Sequence, residues 1–130
     1  MAGDILSIVL TGTTDSGGAL TVDADFAARG LIYAVQWIDG SFDDGVGAVL
    51  SCQNFGGQGV AFTILTLTNA NNDALYHLLV PASDETGAAL TIGTDPVSAP
   101  QFFDGKLRLV VSSGGNTKTG GCIVYYYNRG

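Results

Sequence analysis

Short apolar runs alternate with turn clusters along the whole chain. The runs are Asp4 to Thr11, Ala19 to Val22, Leu31 to Ile38, Ala48 to Gln53, Val60 to Thr68, Ala74 to Val80, a weaker Ala88 to Ile92, Lys106 to Ser112 and Gly121 to Asn128. Between them stand Gly-, Asn- and Asp-rich stretches such as Gly12-Thr-Thr-Asp-Ser-Gly-Gly18, Gly56-Gly-Gln-Gly59 and Ser112-Ser-Gly-Gly-Asn116, the composition of tight turns. Leu107, Leu109 and Val111 fall on one face of a strand, with Lys106, Arg108 and Ser112 on the other. Leu6, Ile8 and Leu10 alternate with Ser7 and Thr11 in the same way, so both strands read as half buried. Leu31-Ile-Tyr-Ala-Val-Gln-Trp-Ile38 and Val60-Ala-Phe-Thr-Ile-Leu-Thr-Leu67 carry apolar residues on both faces, which predicts central strands with a covered outer side and hints at oligomerisation. Only Ala24-Asp-Phe-Ala-Ala-Arg29 offers a helical turn or two. Eight or nine closely spaced strands read as a β-sandwich or barrel.

Length narrows this to one domain over residues 1–130, enough chain to bury a substantial core. The 19 glycines fit a turn-rich β fold, and the 13% charged content, about half the usual share, excludes intrinsic disorder. A net charge of -7, with only Arg29, Lys106, Arg108, Lys118 and Arg129 as bases, argues against nucleic acid or an anionic membrane as partner. The N-terminal stretch holds Asp4 where a secretory leader has a basic region, and its apolar run is broken by Ser7, so neither leader nor membrane span is expected. Synthesis in a cytoplasm follows. Cys52 and Cys122 could pair if their strands meet, but two cysteines in a domain of this size fit buried, reduced thiols better.

Little in the chain can carry catalysis. His77, the one histidine, alternates with Leu75 and Leu79 and reads as a structural, at least half-buried side chain. No serine stands in a G-x-S-x-G elbow, and the pairs Asp23/Asp25 and Asp43/Asp44 read as solvated turn acids. The loop from Asp39 to Gly45 clusters acids with glycines but lacks the alternate-residue spacing of a calcium loop. One histidine and two distant cysteines make no usual zinc site, and Gly56-Gly-Gln-Gly59 precedes no helix that could hold a phosphate. No enzyme, cofactor or metal is expected.

Aromatic residues remain. Along Tyr125-Tyr126-Tyr127, Tyr126 must face opposite to its neighbours, so at least one tyrosine stands outside the core, where tyrosine favours subunit and partner contacts. Trp37 shares a face with Tyr33 and Val35 and reads most simply as core.

The segments Leu31-Ile-Tyr-Ala-Val-Gln-Trp-Ile-Asp-Gly-Ser-Phe-Asp-Asp-Gly45, Thr63-Ile-Leu-Thr-Leu-Thr-Asn-Ala-Asn-Asn-Asp73 and Gly105-Lys-Leu-Arg-Leu-Val-Val-Ser-Ser-Gly-Gly-Asn-Thr-Lys-Thr-Gly120, with the closing Val-Tyr stretch, resemble small structural proteins of tailed bacteriophages. Head decoration, or cement, proteins are the nearest in kind. Where such proteins carry a Tyr-Tyr-Pro-Arg stretch after the Asn-rich turn, this chain has Leu75-Tyr-His-Leu78. The resemblance implies an all-β, jelly-roll-like antiparallel sandwich of about eight strands that binds the major capsid protein on the outer surface of the virion as a homo-oligomer, commonly a homotrimer. Contacts to subunit or capsid are then expected at Tyr125, Tyr127, Trp37 and Arg108. The alternative is a carbohydrate- or receptor-binding β module of a phage tail or fibre, marked by an exposed aromatic platform.

Overall fold

A computed structural model describes residues 4–81, 91–92, 95–96 and 98–128, with side chains described for 5–78 and 101–128. The described residues form strands and turns only: β1 (Asp4–Thr13), β2 (Leu20–Asp23), β3 (Ala28–Ile38), β4 (Gly47–Phe55), β5 (Val60–Leu67), β6 (Ala74–Tyr76), β7 (Leu79–Pro81), β8 (Thr91–Ile92), β9 (Asp95–Pro96), β10 (Ser98–Ser112) and β11 (Thr119–Asn128). The helical turn anticipated at Ala24 to Arg29 is instead a bend that leads into β3. Of the weak run Ala88 to Ile92, only Thr91 and Ile92 lie within the described residues, as β8.

Four antiparallel ladders define the topology: β1 with β11, β2 with β10, β3 with β6 and β4 with β5. The four nest one inside another, from β4 with β5 at the centre to β1 with β11 at the outside, as in a long hairpin folded over and rolled up. The result is the jelly roll. Sheet A runs β1-β11-β3-β6 and sheet B runs β2-β10-β4-β5. Their inner faces meet in a common core, where Val35, Trp37 and Cys122 of sheet A close on Leu50, Leu65 and Leu109 of sheet B. Leu107, Leu109 and Val111 are buried as their alternation requires, and each such side chain contributes about 1.5–3 kcal/mol of transfer free energy.

The longest strand, β10, belongs to both layers. Its residues Gln101 to Gly105 pair with β3, whereas Lys106 to Ser112 pair with β4, and Arg108 to Val111 pair also with β2. Gly105 marks the crossing with φ 151, and a Cβ there would lie 2.5 Å from the Gln53 carbonyl oxygen, so the bend requires glycine.

The two strands that read as apolar on both faces owe that pattern to β-bulges. In β3, Tyr125 pairs with Ala34 but Tyr126 pairs with Ile32, leaving Tyr33 without a partner. The pleat slips by one residue there, and Ile32, Val35 and Trp37 all point inward. In β5, Leu50 pairs with Leu65 and Ser51 with Thr63, which skips Ile64. Phe62, Leu65 and Leu67 pack on the same core, and the bulged Ile64 reaches it as well. Strand β5 is also outermost in sheet B rather than central, which corrects the sequence expectation for Val60 to Leu67. Cys52 and Cys122 are buried free thiols. Burial pushes the Cys122 thiol up to about 12 and raises that of Cys52 in the same direction.

Candidate functional site

The outer face of sheet A has a composition unlike the rest of the acidic chain. Alternation turns Ile8 and Leu10 of β1 and Cys122, Val124 and Tyr126 of β11 into the core. Their neighbours therefore point out, in rows set by the register. Ile5 lies beside Tyr127 and then Leu31, Ser7 beside Tyr125 and Ala34, Val9 beside Ile123 and Gln36, and Thr11 beside Gly121 and Ile38. No residue in these rows is charged. Large apolar groups stand in solvent within and beside the rows: Val9 is 59% exposed and Ile5 52%, with Leu75 of β6, opposite Gln36, at 55% and the unpaired Tyr33 at 45%.

The bulge at Tyr33 shapes this face. The slipped pleat lifts Tyr33 outward and sinks Ala34 into the floor of a groove of about 530 Å³, walled by Ile5, Tyr33, Leu75 and Tyr125, with Gln36 and Asp73 as its polar groups. The Tyr125 hydroxyl donates to Gln36 Oε1 at 2.9 Å, fixing both side chains. Tyr33 meets His77 and Tyr127 edge-on, with ring centroids 5.5 and 5.7 Å away. Such edge-to-face pairs hold the rings upright and each contribute about 0.5–1.5 kcal/mol. Asp73 Oδ1 accepts the Asp39 backbone N–H at 2.8 Å, tying the groove rim to the loop beyond β3.

The four residues expected to make contacts do not come together. Tyr125 and Tyr127 lie on the outer face of sheet A, half buried by one another's neighbours. Trp37 is wholly buried, donates its indole N–H to the Ala70 carbonyl at 2.9 Å and stacks on Phe42, so it offers no surface for a contact. It also points away from Tyr33, because the bulge separates the two faces. Arg108 lies on the opposite layer, on the outer face of sheet B, bound through Nε to Asp23 Oδ1 at 2.6 Å across the β10–β2 ladder. The hydrogen bond from Arg108 holds the Asp23 carboxyl below its ordinary value.

His77 is exposed, not the half-buried structural residue its alternation with leucines predicts, since Leu75 faces solvent as well. Among the described residues no hydrogen bond joins it to a carboxylate, and no three His, Cys, Asp or Glu side chains converge as metal ligands. In the acidic loop, desolvation, then Asp73 and Asp44, raise the Asp39 carboxyl, whose Oδ1 is buried without a partner. Ile5 and Val9 were accessible to alternation because they stand opposite Ile8 and Leu10. Tyr33, Gln36 and Asp73 were not, since a bulge and a fold-back bring them together.

No family model matches the sequence, and no curated protein does. Among solved structures the chain is similar to one described as the crystal structure of FLHE, at 14% identity over 95% of this chain and 98% of that one, with a TM-score of 0.37. A non-crystalline cellulose specific carbohydrate-binding module, CBM28, aligns at 9% identity over 91% of this chain and 73% of that one, with a TM-score of 0.32. At these TM-scores neither likeness carries an argument about this chain.

Proposed function

We propose that this protein is a structural virion protein that decorates and stabilises the outer surface of a phage capsid, attaching as a homo-oligomer to the major capsid protein. The observation that supports this reading is the outer face of sheet A, where Ile5, Val9, Tyr33 and Leu75 form exposed apolar surface with Asp73 as the one carboxylate lining its groove, on a chain of net charge -7. Exposed apolar surface of this kind, rimmed by polar residues, is what a protein partner covers. Weak single contacts suffice for such a role, because an oligomer on a repeating shell binds multivalently. The edge-to-face tyrosines and the Tyr125–Gln36 hydrogen bond keep the surface rigid, so little ordering entropy opposes docking. The test is co-sedimentation with heads assembled from the major capsid protein encoded in the same genome. Binding should be lost in Tyr33→Asp, which places a charge on the face without touching the core. A protein that stays in the supernatant with mature heads overturns the reading.

The groove favours one second reading. It sets Tyr33 and Tyr125 beside an amide and a carboxylate, Gln36 and Asp73, which is chemistry that recognises sugars. A carbohydrate-binding module of a tail or fibre would bind glycans in isothermal titration and lose them in Tyr33→Ala; silence across a glycan array removes it.

A further inference from the structure

We propose that β1 is an assembly edge, at which a second copy of this chain adds its own β1 antiparallel and joins two copies of sheet A into one continuous sheet.

Among the described residues, β1 pairs with β11 on one side and with no strand on the other. The open edge is long and regular: ten consecutive residue pairs, Asp4 with Asn128 through Thr13 with Thr119, run without a shift. Natural edge strands are blunted by lysine, proline, a bulge or shortness. Residues 5–14 hold no charge and no proline, and no bulge interrupts them. The outermost strand of sheet B differs in this respect, since β5 is bulged at Ile64 and its ladder is broken again near Phe55.

Charge selects the occupant. Two chains of net charge -7 repel unless they meet through uncharged surface, and residues 5–13 of β1 with the adjoining rows of sheet A provide it. Antiparallel pairing of identical strands is self-complementary and closes on a two-fold axis, so it uses up the β1 edge of both copies and this contact ends at two chains.

The pleat restricts the register. Outward residues must meet outward residues, so the axis passes through a residue position rather than between two. With the axis at Ser7, Ile5 lies opposite Val9 of the second copy, which covers the two most exposed apolar residues of the strand with each other. The contact is separate from capsid attachment and is tested on the isolated protein, so either can fail alone.

Sedimentation under reducing conditions should give an even number of chains, starting from about twice the 13.3 kDa of one. Ser7→Lys, which opposes two ammonium groups at the axis, should return the mass to one chain, while Thr21→Lys, the same charge change on exposed β2, should not. Ser7→Cys should form an oxidised dimer, because directly opposed Cα atoms lie about 4.5–5.5 Å apart, within disulfide reach. Hydrogen exchange supplies an independent reading. In the pair every amide of residues 5–9 is protected; in a lone chain alternate ones exchange freely. A single chain across the concentration range, an odd-numbered particle, or a dimer that ignores Ser7→Lys and leaves alternate β1 amides open overturns the proposal.

Discussion

Replacing Gly105 by alanine tests the central claim of the fold, that β10 passes from one sheet to the other at a position only glycine can occupy. Two costs add there. At φ 151 an L-residue is strained, on the order of 1–3 kcal/mol. The new methyl would sit 2.5 Å from the Gln53 carbonyl oxygen and 3.0 Å from Cys52 Sγ, and because the nearest neighbour is backbone, relief requires β4 to move. Overpacking of this kind costs about 1–3 kcal/mol more. Together these remove about 2–6 kcal/mol of a stability that for most domains is about 5–15 kcal/mol. For a chain of this size the melting temperature should fall by on the order of 10 °C or more. Gly56→Ala isolates the first cost, since Gly56 has φ 60 with nothing within 4 Å of an added Cβ. It should lose only about 1–2 kcal/mol. Urea unfolding of both variants, read by tryptophan fluorescence with the slope unchanged, gives the comparison. If Gly105→Ala is no worse than Gly56→Ala, the crossing has room for a side chain and the close packing of β10 on β4 described above is wrong.

Two carboxylates should move stability in opposite directions with pH. Asp23 titrates below its ordinary value of 3.8 when folded, so its pairing with Arg108 stabilises above that pH and is lost as pH falls through the folded value. Asp23→Asn should therefore melt below wild type at pH 7 and together with it near pH 2, by calorimetry, with the gap narrowed by salt. Asp39 is raised, so its ionised form opposes folding at neutral pH and the penalty is relieved as pH falls through the folded value. Asp39→Asn should melt higher than wild type at pH 7, and that advantage should vanish in acid. Both cysteines should resist a thiol reagent until the protein unfolds, with labelling tracking denaturant, because both are buried and Cys122 sits at about 12. Trp37→Phe should cost about 2–4 kcal/mol, from an unpaired Ala70 carbonyl and a cavity, in urea unfolding of wild type and variant followed by circular dichroism, since the substitution removes the chain's one tryptophan.

Strand identity was legible wherever the period of two ran unbroken. Leu107, Leu109 and Val111 on β10, and Tyr126 between two outward tyrosines, lie as alternation requires. The errors cluster where a single extra residue slips the pleat. Tyr33 was assigned to the face of Trp37, and β5 to the centre of a sheet, because a bulge and a second apolar face write the same letters. Hydrogen bonds that skip one residue are chosen across strands far apart in sequence and leave no local mark. The same limit applies to the candidate site. The outward placement of Tyr125 and Tyr127 was legible from alternation, but Arg108 proved to be held by Asp23, 85 residues away, and the Gln36–Tyr125 bond spans 89. The two-faced strands that pointed to oligomerisation are explained by bulges, and the argument for self-association now rests on β1.

The rolled topology also dictates when the chain can fold. The inner strand that β1 needs is β11, and the inner strand that β2 needs is β10, so Asp4 waits for Asn128 and Asp23 for Arg108. A nascent chain emerging from the ribosome holds both outer strands of the roll long before either has its neighbour. Until then β4 with β5 is the ladder closest to local. Folding must be a late event, completed after residue 128 clears the exit tunnel, and its rate should be that of a non-local β protein, about milliseconds to seconds. During that interval the uncharged stretch of β1 is exposed on a chain that cannot yet bury it, which makes early chaperone contact most valuable at this strand.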